Sequence, residues 1–102
     1  MWCVYQLQST ERFDQWLRNL RDRKGRARIL ARLESAQLGN LGDVKAVGGG
    51  VREMRLDVGP GYRVYFAQRD LVLLLLLCGG DKSTQARDIA KARQILRDLG
   101  KE

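Results

Sequence analysis

The sequence predicts an α+β fold: an N-terminal strand and an αα-hairpin packed on an antiparallel sheet of three to four strands, with a C-terminal helix. Two observations predict it. Apolar residues recur at helical spacing between Phe13 and Leu33, then alternate with polar ones after Gly42. Helices that group before strands, rather than alternating with them, imply an antiparallel sheet. A chain of 102 residues has room for one domain, spanning residues 1–102, and for one core. A functional site is therefore expected on an open face or groove.

Residues 2–7 read as a short strand. Ser9-Thr10 supplies a helix cap and Glu11 suits a first helical turn. Phe13, Trp16, Leu17 and Leu20 fall at i, i+3, i+4 and i+7, one apolar face, with Arg12, Arg18 and Arg21 opposite. Gly25 is expected to break this helix. Ile29, Leu30 and Leu33 mark a second one, stopped by Gly39-Asn40. Asp43–Val47, Val51–Val58, Gly61–Ala67 and Leu71–Cys78 read as strands. The turns between them are Gly48-Gly49-Gly50, Gly59-Pro60-Gly61 and Gln68-Arg69-Asp70. Ser83 is the expected cap of a last helix carrying Ile89, Ala92, Leu96 and Leu99 and ending at Gly100. No internal repeat, low-complexity segment or linker interrupts the chain.

Composition narrows the function classes. Hydrophobic residues at 44% and charged residues at 30% fit a globular protein rather than a disordered one. Nineteen Lys and Arg against twelve Asp and Glu give a net charge of +7, which favours a polyanionic or acidic partner. The apolar run at Leu71–Cys78 is too short to span a bilayer and suits a strand buried on both faces. No signal peptide is read at the N-terminus, so a cytoplasmic location is expected. Cys3 and Cys78 lie in apolar stretches, as small buried side chains in a reducing compartment do. Two cysteines without a histidine make no ordinary zinc site, and no metal or other cofactor is expected. The usual general base near neutral pH is missing with the histidine. Trp2 and Trp16 are read as core residues. The triple glycine lacks the Lys-Ser/Thr sequel of a phosphate loop and is read as a turn.

The two central strands carry the functional expectation. Alternation puts Met54, Leu56 and Val58 on one face of the first and Glu53, Arg55 and Asp57 on the other. On the second, Tyr62, Val64 and Phe66 oppose Arg63 and Tyr65. If the apolar faces meet the helices, Glu53, Arg55, Arg63 and Tyr65 emerge on an exposed side, with Lys82 near its rim. Arg and Lys there suit phosphates, and a Tyr ring suits a base. A solvated sheet face that merely carries charge is the competing reading. The helical hairpin is a second basic region, with eight positive and three negative residues between 11 and 32. Arg18, Arg21, Arg23, Lys24, Arg26 and Arg28 suit ribosomal RNA backbone, and equally a plain solvated face.

Three strings in order, Gly50-Val51-Arg52-Glu53-Met54-Arg55-Leu56, Gly61-Tyr62-Arg63-Val64-Tyr65-Phe66 and Gly79-Gly80-Asp81-Lys82-Ser83-Thr84-Gln85, resemble the HigB-like "addiction module killer" branch of the RelE/ParE toxins. The resemblance extends to the Phe13, Trp16, Leu17 and Leu20 helix and the Gly39-Asn40 stop. It implies a toxin of a type II toxin–antitoxin system, a ribosome-dependent endoribonuclease that cuts mRNA and arrests translation. Arg55, Arg63 and Lys82 fall where such toxins hold basic groups around the scissile phosphate. Glu53 and Gln85 belong to the branch's motif and, with Tyr65, are expected to position groups or move protons. Relatives place an aromatic acid–base residue in the last helix, where this chain has Asp88 or its neighbours, so the general acid stays unassigned. RNA brings its own nucleophile, the 2′-OH, and cleavage then needs in-line geometry and charge stabilisation. The implied partners are the ribosome, mRNA and a cognate antitoxin, a helix-turn-helix protein whose acidic side chains meet the arginines. No membrane and no small-molecule cofactor is implied. Fold alone leaves open a ParE-like gyrase inhibitor and a non-catalytic, antitoxin-binding relative.

Overall fold

The computed structural model describes residues 4–100; Trp2 and Cys3, expected in the core, lie outside them. The fold is α+β. In chain order the elements are β1 (Gln6–Ser9), α1 (Glu11–Asn19), α2 (Arg23–Gln37), β2 (Val44–Gly48), β3 (Val51–Leu56), β4 (Tyr62–Gln68), β5 (Leu73–Asp81), one 3-10 turn (Lys82–Thr84) and α3 (Gln85–Leu99). The sheet has five strands in the order β1-β5-β4-β3-β2. All neighbours are antiparallel except β1 and β5, which run parallel with Gln6 beside Leu73 and Ser9 beside Leu76.

Local chemistry sets most boundaries. Thr10 caps α1, its hydroxyl accepting from the Phe13 N–H at 3.1 Å and donating to the Leu77 carbonyl at 2.6 Å. One side chain thus starts the helix and fastens it to β5. The helical hairpin breaks at Leu20–Asp22 rather than at Gly25. Asp22 caps α2 by accepting from the Gly25 N–H at 2.9 Å. Gly25 sits inside the first turn of α2 because a Cβ there would overlap the Tyr62 ring and the Asp22 carboxylate. The glycine serves close packing, not helix termination. The Tyr62 hydroxyl donates to the same Asp22 carboxylate at 2.8 Å.

Further boundaries differ from expectation, among them those of β1, at Gln6–Ser9 instead of 2–7, and of β3, which ends at Leu56 instead of Val58. Leu71 and Val72 are exposed and lie in the turn before β5, where the Asp70 carboxylate accepts from the Val72 and Leu73 N–H groups. At its far end β5 continues through Gly79 and Gly80 to Asp81. Asp81, not Ser83, supplies the cap there, and it caps the 3-10 turn through the Ser83 N–H.

Both faces of the sheet are covered. α1 and α2 bring Phe13, Ile29, Leu33 and Ala36 onto Met54, Leu56, Tyr62, Val64, Phe66, Leu74 and Leu76. α3 brings Ala92, with Ile89, Ile95, Leu96 and Leu99, onto Val51, Tyr65, Ala67, Leu75, Leu77 and Cys78. The expected double-sided burial of the Leu-rich strand follows from this sandwich. A bulge at Leu77, between the pairs Tyr65–Cys78 and Phe66–Leu76, turns Leu77 and Cys78 both toward α3. Among the described residues no helix is long and apolar enough to cross a membrane.

Candidate functional site

The expected charged face of β3 and β4 exists, but α3 closes much of it. Glu53 and Tyr65 are fully buried, and Arg63 is 7% exposed. The expectation that all four residues emerge to solvent is therefore corrected: Arg55 alone is substantially open, its side chain 39% exposed. Tyr65 cannot stack on a base. Alternation assigned these residues to the right face; it could not say that a helix from the end of the chain would cover it.

What the closure creates is a buried polar cluster behind an open groove. Glu53 pairs across the strands with Tyr65, and Arg55 with Arg63. One Glu53 oxygen, Oε2, accepts from the Tyr65 hydroxyl at 3.0 Å and from the Gln85 amide at 2.7 Å. The other, Oε1, lies 3.7 Å from Arg55 Nε and 4.0 Å from Arg63 Nε. Neither Oε1 nor Arg63 Nε has a hydrogen-bond partner among the described residues, although both are buried. Arg63 donates through Nη1 to the Tyr62 carbonyl at 3.0 Å. Burial first, and the Glu53 charge and hydrogen bond next, push the Tyr65 phenol far above its ordinary range. Tyr65 is thus a fixed donor to Glu53 and not a proton carrier near neutral pH.

Arg55, Arg63 and Lys82 come together, as the sequence predicts, in a groove of about 220 Å³. Two carboxylates that were not expected, Asp43 and Asp57, complete its walls. Asp57 shares a strand face with Glu53 and Arg55, which was a usable signal. Asp43 gave none, because its approach depends on β2 pairing with β3 and on Arg32. The Arg32 guanidinium donates to the carbonyls of Leu41, Asp43 and Arg55, tying α2 to both strands at this point. Asp88, in the region of the last helix where the resemblance leaves the general acid unassigned, does not line the groove. It is buried on the other side of α3, accepting from the Thr84 hydroxyl at 2.5 Å.

The hairpin arginines divide. Arg21, Arg23, Lys24 and Arg28 are exposed and enter no ion pair among the described residues. Arg18 meets Glu11 at 3.3 Å. Arg26 is half-buried and committed to structure, its guanidinium donating to the Arg18 and Leu20 carbonyls at the end of α1. Arg28 lines a hollow of about 240 Å³ under α2 that shares Asp57 with the cationic groove.

Cys78 offers no nucleophile. Its thiol is buried and donates weakly to the Asp88 carbonyl at 3.6 Å, and burial together with the Asp88 charge pushes its pKa up to about 12. Among the described residues no three His, Cys, Asp or Glu side chains gather as a metal cage would require.

No family model matches the chain. An uncharacterized protein of Haemophilus influenzae is 47% identical over 95 residues, which cover 93% of this chain and 96% of that protein.

Proposed function

We propose a function for the family to which this chain and the uncharacterized Haemophilus influenzae protein both belong: a RelE/ParE-type toxin of the HigB-like branch, acting in the cytoplasm as a ribosome-dependent endoribonuclease on mRNA. The observation that carries the reading is the convergence of Arg55, Arg63 and Lys82 in one groove. A phosphate anion is the ligand that suits three cations converging on one open groove.

In this mechanism the groove holds the scissile phosphate in line with the adjacent 2′-OH. The 2′-oxygen attacks phosphorus, the bond to the 5′-oxygen breaks, and one proton leaves the nucleophile while another reaches the leaving oxygen. Arg63 grips the phosphate, and Arg55 and Lys82 stabilise the added negative charge of the transition state. Glu53 and Gln85 position the two arginines from behind. Asp43 and Asp57 line the groove and are the groups available to accept the 2′-OH proton. An antitoxin fits the same basic surface with acidic side chains.

Cell-free translation with primer extension tests the reading. The protein is expected to give codon-phased cuts in mRNA only when ribosomes are present. The variant Arg63→Ala plus Lys82→Ala is expected to cut at least about 100-fold more slowly, the scale set by losing charge stabilisation in the transition state. Intact mRNA with blocked gyrase supercoiling would replace the nuclease by a gyrase inhibitor. Cutting at the normal rate by the double variant would remove the proposed roles.

A further inference from the structure

A second opening, larger than the cationic groove, is a cleft of about 490 Å³ between α1 and α3. Its size lies inside the roughly 300–1,000 Å³ range of small-ligand sites. From α1 it takes Arg12, Gln15, Trp16 and Asn19, one stripe at i, i+3, i+4 and i+7. From α3 it takes Arg87, Asp88 and Lys91. The floor is Cys78 and Gly79 of β5, in the half of the strand that β1 leaves unpaired beyond Leu76. Gly79 is required: a Cβ there would overlap the Trp16 indole, which lies directly against the strand.

The cleft combines three functions of chemistry in one place. Arg12, Arg87 and Lys91 are exposed cations, and neither Arg12 nor Lys91 is ion-paired among the described residues. The single carboxylate, Asp88, is occupied by the Thr84 hydroxyl and lies 3.9 Å from Arg87 Nε. Trp16 is half-buried, packs beside Phe13 and Tyr62, and lines the cleft. Gln15 and Asn19 add exposed amides. Cations for phosphates, a rigid indole for a base and amides for a base edge are the components of a single-strand RNA site.

We infer that this cleft is a second RNA subsite, which takes one unstacked nucleotide against Trp16 and its flanking phosphates on Arg12, Arg87 and Lys91. The inference rests on the proposed RNA substrate. The segment joining the two sites is short: Lys82 lines the groove, and Arg87 and Asp88 line the cleft, on either side of the turn into α3. A strand held in the groove passes over this turn to reach the cleft.

Fluorescence tests it. In a Trp2→Phe background Trp16 is the remaining tryptophan. A ten-nucleotide oligouridylate is expected to quench it saturably. Replacing Arg12, Arg87 and Lys91 together by Gln is expected to weaken binding about tenfold or more. The same triple replacement lowers the slope of log affinity against log salt by about 2, at roughly 0.7 per phosphate contact. Unquenched Trp16, wild-type affinity in the triple variant, or quenching by an oligoglutamate peptide but not by the oligouridylate would each overturn the inference. Quenching that persists in a protein that cuts no mRNA would remove the nuclease and keep the subsite. Normal cutting with an unresponsive Trp16 would do the reverse.

Discussion

The two faces of one sheet behave differently. Beneath α1 and α2, every buried side chain from the strands is apolar, apart from the Tyr62 hydroxyl that reaches Asp22. Beneath α3, an apolar half around Val51, Ala67 and Leu77 gives way to Glu53, Tyr65 and Arg63. The first face is an apolar core. The second spends part of its burial on a polar cluster that holds two arginines beside an open groove. Such a cluster is costly unless its hydrogen bonds are complete, and here two of its polar atoms lack hydrogen-bond partners among the described residues.

Substitutions on each face separate these roles. Phe66→Ala empties a fully buried site on the first face and is expected to cost about 3–5 kcal/mol in urea unfolding. Glu53→Ala removes the shared acceptor of Tyr65 and Gln85 and the neighbour of Arg63, for a cost of about 3 kcal/mol. Glu53→Gln keeps an acceptor, so its expected cost is smaller, about 1 kcal/mol. If the second face is functional, Glu53→Gln nevertheless loses mRNA cutting far out of proportion to its stability. A Glu53→Gln protein with unchanged cutting would make that face merely structural.

The smallest expected effect is at high pH. The Tyr62 phenol is pushed up to about 12 by burial and by Asp22, and Tyr65 is raised further by burial and Glu53. A phenol whose folded pKa is raised contributes its stability in full below the unfolded value of about 10 and loses it as pH rises through the folded one. The urea midpoint is therefore expected to hold up to about pH 10 and to fall above it. Tyr65→Phe should fall less steeply over that window. Equal slopes would deny Tyr65 its role in the alkaline loss.

Element types and the grouping of Arg55, Arg63 and Lys82 were legible in the sequence because period-2 and period-3.6 patterns report directly on faces. Three features were not. Gly25 resembled a helix stop because its packing against Tyr62 is a long-range fact. Arg26 resembled a free cation because the α1 carbonyls that bind it are exposed only by the break at Leu20. The open sheet face was an expectation built on strands alone. α3 is amphipathic in sequence, yet nothing local says which sheet face its Ile89, Ala92 and Leu96 will cover. The part of the site that sequence missed, Asp43, is held by backbone carbonyls bonded to Arg32, and carbonyls carry no residue signature.

The Thr10 contact with Leu77 has a consequence for the birth of the chain. It joins residues 67 positions apart, and the parallel pairing of β1 with β5 spans a similar interval. At synthesis rates of about 5–20 residues per second, β1 waits roughly 3–13 s for its partner to be made. Through that interval the nascent protein has its basic helical hairpin but neither β5 nor α3, and hence neither complete groove nor cleft. The unfinished chain on its own ribosome thus lacks the surfaces on which the proposed RNA chemistry depends.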